Sequence, residues 1–228
     1  MRRLLRSTMA ALALVTSFAQ PSAASDGGGK LSNEQLFTLL FVDQGRSFGY
    51  QTMMARIQVD TVKAELERDR ALLDQNEKLF QRKAIPLIQL ELSKLKDAWN
   101  RKQLIVAEKS LAYVSAEREA MTQMANYFAG APASIDTLYA AFLRGWEAGC
   151  DKGPDEVVAM QAWLAYAEKS LERAQELNRR GSLPQSAVLE RKAQVDIARS
   201  NYSNREAGLA KCRTVLFPSL EQVKAIGR

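Results

Sequence analysis

The sequence contains no histidine and only two cysteines, so two common catalytic and metal-binding side chains are nearly absent. Histidine is the usual general acid or base near neutral pH, and structural metal sites mostly need four ligands of these two types. The sequence also lacks a glycine-rich phosphate loop and a serine in a nucleophile-elbow motif. These absences argue against an enzyme, a metal site and a bound cofactor.

The acidic side chains do not replace the missing histidine. Several carboxylates lie beside lysine and arginine in one charged stretch, which favours solvated ion pairs over a desolvated acid–base pair. The three tryptophans are interpreted as packing residues. The carboxylates in question are Glu65, Glu67, Asp69, Asp74 and Glu77, and the tryptophans are Trp99, Trp146 and Trp163.

No window shows the period-two alternation between turn residues that strands require. Instead, apolar residues recur at steps of three and four through long charged stretches, which is typical of coiled-coil seams. The pattern predicts an all-α fold of two long antiparallel coiled-coil hairpins with short connecting helices. The first descending seam is Val59, Val62, Leu66, Leu73 and Phe80, interrupted by Asp69 and Asn76.

The other three arms continue the same spacing. The return arm of the first hairpin carries Ile88, Leu92, Leu95, Trp99, Val106, Tyr113, Ala116, Ala120 and Tyr127. The second hairpin descends through Val157, Met160, Leu164, Ala167, Leu171 and Ala174, and returns through Val195, Ala198, Tyr202, Leu209 and Cys212.

A short pattern occurs twice, at 79–86 and at 177–184, and it predicts the tip of each hairpin. Proline fits the start of a helix and pushes the preceding residue out of helical geometry, so each copy ends one helix and begins another. A glycine in the second copy is a typical left-handed helix stop. The predicted tip residues are Leu79, Ile85 and Pro86 in the first copy and Leu177, Gly181, Leu183 and Pro184 in the second.

The two cysteines support this hairpin geometry independently. Cys150 and Cys212 lie equally far in sequence from Gly181, so they meet at the base of a hairpin that folds there. In an oxidising compartment, a disulfide across this loop would contribute about 4 kcal/mol in the chain-entropy model. The alternative is two free thiols that are buried as small apolar side chains.

Residues 1–24 have the features of a secretory signal peptide. Three arginines precede a short apolar run, and Ser22, Ala23 and Ala24 form a small-residue cleavage site. The run is too short to span a bilayer, and no cysteine follows the site, so membrane and lipoprotein anchoring are disfavoured. We therefore expect an exported, periplasmic protein.

Removal of that segment takes away three arginines and no acidic residue, which lowers the formal net charge from +6 to +3. The remaining basic residues are interspersed with acidic ones, so a solvated face is favoured over nucleic-acid binding. No small-molecule substrate is inferred. The predicted segments are 1–24 signal peptide, 25–49 lead-in and short helix, 50–128 first hairpin, 129–154 connecting segment with a short helix, 155–212 second hairpin and 213–228 tail.

Within the second of those segments, 25–49, Ser32 and Gln35 resemble a capping box. The box opens a short apolar helix that runs through Val42. Gly45 and Gly49 then predict a loosened chain before the first long stretch.

The second tip resembles the α-helical hairpin of periplasmic adaptors, the membrane fusion proteins of tripartite efflux and hemolysin-type secretion systems. Those hairpins carry an arginine, a leucine four residues later and a serine seven residues beyond, just after an apolar residue that opens the return helix. Arg173, Leu177 and the pair Leu183-Pro184 stand at that spacing, with Pro184 in the place of the serine. The strand-rich lipoyl-like and β-barrel domains that normally flank such hairpins are missing.

In the first copy, Gln75 stands in the place of the arginine, while Leu79 and Pro86 follow at matching positions. Adaptor tips mesh with the helical tips of an outer-membrane channel. The resemblance therefore implies that Arg173, Leu177 and, more loosely, Leu79 bind a partner. The alternative is that Leu177 closes the hairpin seam and Arg173 is a solvated helix residue.

Two functions follow from these observations. The first is a coiled-coil adaptor or accessory subunit of an envelope complex, whose partners are an outer-membrane channel or inner-membrane transporter components. The second is a tentacle-like periplasmic chaperone that holds unfolded proteins between its arms, for which flexible methionines are suited. Narrow hairpins bury little surface for their length, so a homo-oligomer is expected for the adaptor. The methionines are Met53, Met54, Met121, Met124 and Met160.

Overall fold

The computed structural model describes residues 31–214 and 217–226, and its regular structure there is entirely helical, which confirms the all-α prediction. The predicted signal peptide and the first residues of the lead-in lie outside the described residues. Among the described helices, none combines the length and the apolar character that a membrane crossing requires. The helices are α1 Asn33–Gln81, α2 Leu87–Phe128, α3 Ile135–Asp151, α4 Gly153–Arg179, α5 Gln185–Thr214 and α6 Leu220–Ile226.

Helix α1 begins at the predicted capping box, in which Ser32 and Gln35 bond reciprocally to each other's backbone N–H. The prediction of a separate short helix ending at Val42 is wrong, because α1 continues unbroken for 49 residues. The two glycines that suggested a break pack against α2 instead. A Cβ at Gly45 would lie 3.8 Å from Met121, and one at Gly49 would lie 3.7 Å from Arg118. This packing offsets the helix-propensity cost of about 1 kcal/mol per glycine.

The face of α1 that packs on α2 keeps a three-four spacing over most of the helix, as predicted for a coiled-coil arm. The predicted interruptions at Asp69 and Asn76 belong to this interface. Asn76 donates to the hydroxyl of Ser93 at 2.6 Å, and the buried Asp69 accepts from Asn100 at 2.7 Å. The expectation that Asp69 is a solvated charge is therefore wrong, because its carboxylate is held between two helices.

Helix α2 has two packing faces, and the predicted seam through Trp99 and Tyr113 is not the one that meets α1. The face toward α1 instead includes Ser93, Asn100 and Met121. The predicted seam turns toward the later helices, where Trp99 stacks on Trp163. The sequence pattern predicted only the more apolar face of α2. It did not reveal the face toward α1, because that face includes polar residues such as Ser93 and Asn100.

The C-terminal part of α2 packs against α3, and glycines of α3 line this contact. A Cβ at Gly145 would lie only 2.8 Å from the carboxylate of Glu117, and one at Gly149 only 3.2 Å from the ring of Tyr113. Glycines at these positions therefore permit the close approach of the two helices. The predicted break at 149–154 is confined to Lys152, so α3 and α4 follow each other almost directly.

Helices α4 and α5 form the second hairpin, and its centre contains the predicted residues Ala167, Val195 and Ala198. Leu164 and Leu171 pack around them. Ion pairs join the two arms on the outside, between Arg199 and Glu168 at 3.2 Å and between Arg205 and Glu156 at 3.1 Å. The arms therefore combine a narrow apolar seam with flanking charges, as in a coiled coil.

The predicted disulfide between Cys150 and Cys212 joins the end of α3 to α5, with a Cα–Cα distance of 5.8 Å. The described part of the predicted tail packs beside it. Phe217 lies against Tyr139 and Trp146 of α3, and Lys224 of α6 pairs with Asp136 at 2.8 Å. The base of the second hairpin is thus closed covalently and covered by the end of the chain.

The two hairpins pack side by side through α2 and α4. Three contacts fix their relative direction: Glu91 with Lys169, Trp99 with Trp163, and Glu119 with Arg144. Residues of α2 that lie farther from the first loop contact residues of α4 and α3 that lie farther from the second loop. The two loops therefore lie at the same end of the molecule.

Candidate functional site at the hairpin tips

Helix α1 ends in a Schellman motif at the loop that connects it to α2. The N–H of Lys83 donates to the carbonyl of Phe80 at 2.8 Å, and the N–H of Ala84 donates to that of Leu79 at 2.9 Å. These bonds satisfy carbonyls that the end of α1 would otherwise leave without partners. Pro86 then caps α2 from the position just before its first residue.

The loop between α4 and α5 repeats this arrangement bond for bond. Gly181 donates to Asn178 at 2.8 Å, and Ser182 donates to Leu177 at 2.9 Å. Pro184 accepts from the backbone of the following helix at 3.1 Å, as Pro86 does at the same distance. The repeated sequence pattern thus encodes a repeated backbone, which confirms that both copies are helix-ending loops.

Both loops place one residue in the left-handed region, at φ 72° for Gly181 and φ 58° for Lys83. The sequence pattern identified the glycine but missed the lysine, because a lysine carries no signal for this conformation. An L-residue there costs on the order of 1 kcal/mol. The bonds around Lys83 hold it in place despite that cost.

One side chain closes the second loop and has no counterpart in the first. Asn178 donates from its side-chain amide to the carbonyl of Leu183 at 2.7 Å, whereas Phe80 occupies the matching position in the first loop. The predicted tip residues Ile85 and Leu183 are half-buried, and the two prolines are exposed. The second loop is therefore more strongly constrained than the first.

The three residues that the adaptor resemblance singles out are not the most exposed at the tips. Leu79 and Leu177 are half-buried, and their carbonyls accept the loop-closing bonds. Arg173 is 22% exposed and pairs with Glu176 at 3.2 Å, and Glu176 also binds Arg180. Leu79 and Leu177 thus serve loop closure, Arg173 is paired within α4, and the binding of a partner by these three residues stays a prediction.

Folding collects basic side chains that are dispersed in the sequence. The two loops and the helix ends that flank them carry five exposed basic residues at one end of the molecule, together with two exposed apolar side chains. We call this set the tip surface. Its members are Lys78, Phe80, Arg82, Lys83, Leu87, Arg179 and Arg180.

An aromatic cluster fixes the spacing between the hairpins below the tips. Trp99 of α2 stacks on Trp163 and on Tyr166 of α4, each with ring centres 6.2 Å apart. The ammonium group of Lys96 lies 3.9 Å from the Trp99 ring, a cation–π distance. Burial lowers the pKa of Lys96, while the negative charge of Asp69 opposes that shift. The cluster links the polar interface of the first hairpin to the second hairpin.

No family model, curated protein or solved structure matches this chain. The adaptor resemblance therefore remains a prediction that rests on the residues of the tips. An all-helical fold does not identify that family, because the same fold class hosts many functions.

Proposed function

We propose that this protein is a periplasmic coiled-coil adaptor or accessory subunit that contacts an envelope complex through its tip surface. The partner is an outer-membrane channel or a component of an inner-membrane transporter. The observation that carries the proposal is that the two loops, which share the same backbone hydrogen bonds, lie at one end of the molecule together with five exposed basic side chains. Two equivalent loops offer a partner two equivalent contacts.

The charge of the tip surface favours an acidic partner. Lys83 and Arg82 project from the first loop, and Arg179 and Arg180 from the end of α4. Glu176 pairs with Arg180, but the five exposed basic residues still leave an excess of positive charge at this end. Such an excess speeds association with a surface of the opposite sign and disfavours basic partners. Phe80 and Leu87 add exposed apolar contacts beside these charges. The proposal therefore includes an acidic, partly apolar surface on the channel or transporter component.

The proposal includes export by residues 1–24. Long arms suit this role because their length separates the tips from the base. Helix α2 has 42 residues, which corresponds to about 63 Å at the α-helical rise. The partner at the tips is thus held far from whatever binds the base.

The chaperone function is supported by one observation on α1. Met53 and Met54 are about half exposed, and adaptable thioethers suit varied apolar clients. Met121 is buried, however, so the five methionines do not form one surface. A holdase also gives no role to the repeated loops, which is why the adaptor function is preferred.

Photo-crosslinking in cells tests the proposal at three positions, each of which donates its backbone N–H to the carbonyl five residues earlier. Ala84 and Ser182 are exposed at the two tips, and Ala131 occupies the equivalent place in a third loop, after α2, at the other end. We expect probes at Ala84 and Ser182 to capture the same envelope protein, and the probe at Ala131 not to capture it. Mass spectrometry of the crosslinked bands identifies the captured protein.

The other outcomes distinguish the alternatives. Capture of many unfolded envelope proteins from all three positions supports the chaperone function. Capture of one protein at Ala131 but not at the tips contradicts the tip surface as the binding site.

A further inference from the structure

The first half of α1 carries an exposed apolar stripe, which we call the α1 stripe. Its members are Leu36, Leu39, Tyr50, Met53 and Ile57, which are between 49% and 62% exposed. Together with two charged positions between Leu39 and Tyr50, they follow one another in alternating steps of three and four residues. They therefore lie on one side of the helix. That side is opposite to the one that carries Val59 and Val62 into α2. The stripe therefore has the form of a second coiled-coil seam.

Two charged residues continue the same spacing in the middle of the stripe. Asp43 and Arg46 stand where the seam would place its next two side chains, and both are exposed. They pair with each other along the helix at 2.6 Å. A polar pair within a seam commonly specifies how two helices align.

We infer that the α1 stripe is the interface with a second copy of this chain, whose α1 runs antiparallel. One register pairs every seam position from Leu36 to Met53, and Ile57 lies beyond them, opposite Ser32 at the start of α1 in the second copy. Leu36 faces Met53 of the second copy, Leu39 faces its Tyr50, and Asp43 faces its Arg46. The twofold symmetry repeats each of these layers on the other side of the centre.

The charges argue for the antiparallel arrangement and for a second copy. In a parallel pair, Asp43 would face Asp43 and Arg46 would face Arg46, and such like-charge contacts are costly. In the antiparallel pair both layers join opposite charges. A membrane surface is a poorer match because it favours helices with a strongly basic polar face, whereas Glu34 and Asp60 balance the arginines of this segment.

This inference goes beyond the proposed function and does not depend on it. The centre of the interface lies near Gln44 and Gly45, and the first tip lies at the far end of α1. That separation is roughly 55 Å at the α-helical rise. The antiparallel dimer therefore carries its two tip surfaces at opposite ends, roughly 110 Å apart. It can connect two partners rather than present both tips to one.

Charge exchange tests the register in the full protein by sedimentation equilibrium. We expect wild-type protein to sediment at twice the mass of the chain. Asp43→Arg and Arg46→Asp each place like charges in both central layers and raise the dimer dissociation constant at least about tenfold. The double variant Asp43→Arg/Arg46→Asp restores opposite charges and returns the constant to within about threefold of wild type.

Asp74→Arg is the matched control, because Asp74 is an exposed acid on α1 outside the stripe. It leaves the dissociation constant unchanged, and circular dichroism confirms helical content in all variants. A wild-type monomer overturns the inference, as does a dimer that resists both single substitutions. Failure of the double variant to recover also overturns it. Binding of an unfolded reduced protein or of anionic lipid vesicles by a monomer, lost in Leu39→Glu, assigns the stripe to those partners instead.

Discussion

Removing the disulfide with Cys150→Ser/Cys212→Ser will lower the free energy of unfolding by about 4 kcal/mol. The bond joins residues 62 positions apart, so it restricts a large loop of the unfolded chain. In the folded protein it closes the base of the second hairpin, where α5 otherwise leans on α4 through a seam of small residues such as Ala167 and Ala198. Urea unfolding followed by circular dichroism measures the difference.

The control is wild-type protein in a reductant, which should unfold at the same urea concentration as the double serine variant. Agreement of the two shows that the lost bond, and not the serines, causes the effect. A loss below about 1 kcal/mol in both samples would contradict the disulfide as the main constraint on this hairpin.

Replacing Asn100 by leucine will destabilise the protein by about 2–3 kcal/mol. Asn100 is only 2% exposed, and its amide donates to the carboxylate of Asp69, which is 5% exposed. Arg68 and Lys96 still face that carboxylate after the change, at 2.9 Å and 3.9 Å. The loss therefore comes from a buried charge that no longer receives its closest hydrogen bond from α2.

The double variant Asp69→Leu/Asn100→Leu separates this cause from loss of packing. Removing both polar partners eliminates the unsatisfied charge, so we expect it to recover most of the stability that Asn100→Leu loses. Asn126→Leu, at an exposed position of α2, is the control and changes stability by less than about 0.5 kcal/mol. A double variant less stable than the single one would contradict the explanation.

The polar pair also bears on how the arms align. An apolar seam accepts several registers, whereas Asp69 and Asn100 meet in only one. The same holds for Asn76 with Ser93, one heptad nearer the tip. These contacts set the relative position of α1 and α2, and hence the shape of the first loop.

The sequence predicted the features that depend on local chemistry or on simple symmetry. Pro86, Gly181 and Pro184 marked the loops because their backbone preferences act within a few residues. Cys150 and Cys212 were paired from their equal distance to Gly181. Each of these signals is readable without knowing which helices become neighbours.

The features that the sequence did not reveal depend on tertiary neighbours. Gly45 stays helical because α2 packs against it, and Lys83 is left-handed because its loop bonds hold it. Trp99 turned out to face α4 rather than α1, since periodicity cannot tell which partner a helix face meets. The basic tip surface was hidden because its residues come from two distant segments.

The tip surface requires both loops at one end of the molecule, and distances between spin labels test this most directly. The labels replace Ala84, Ser182 and Ala131 in pairs through introduced cysteines, since the native cysteines are joined in the disulfide. We expect less than about 30 Å between Ala84 and Ser182, because the packed helices α2 and α4 have axes about 10 Å apart. We expect about 60 Å between Ala84 and Ala131, across the length of α2. A broad distribution or a distance above about 50 Å between the two tips would show that the hairpins splay, which would contradict a single binding surface.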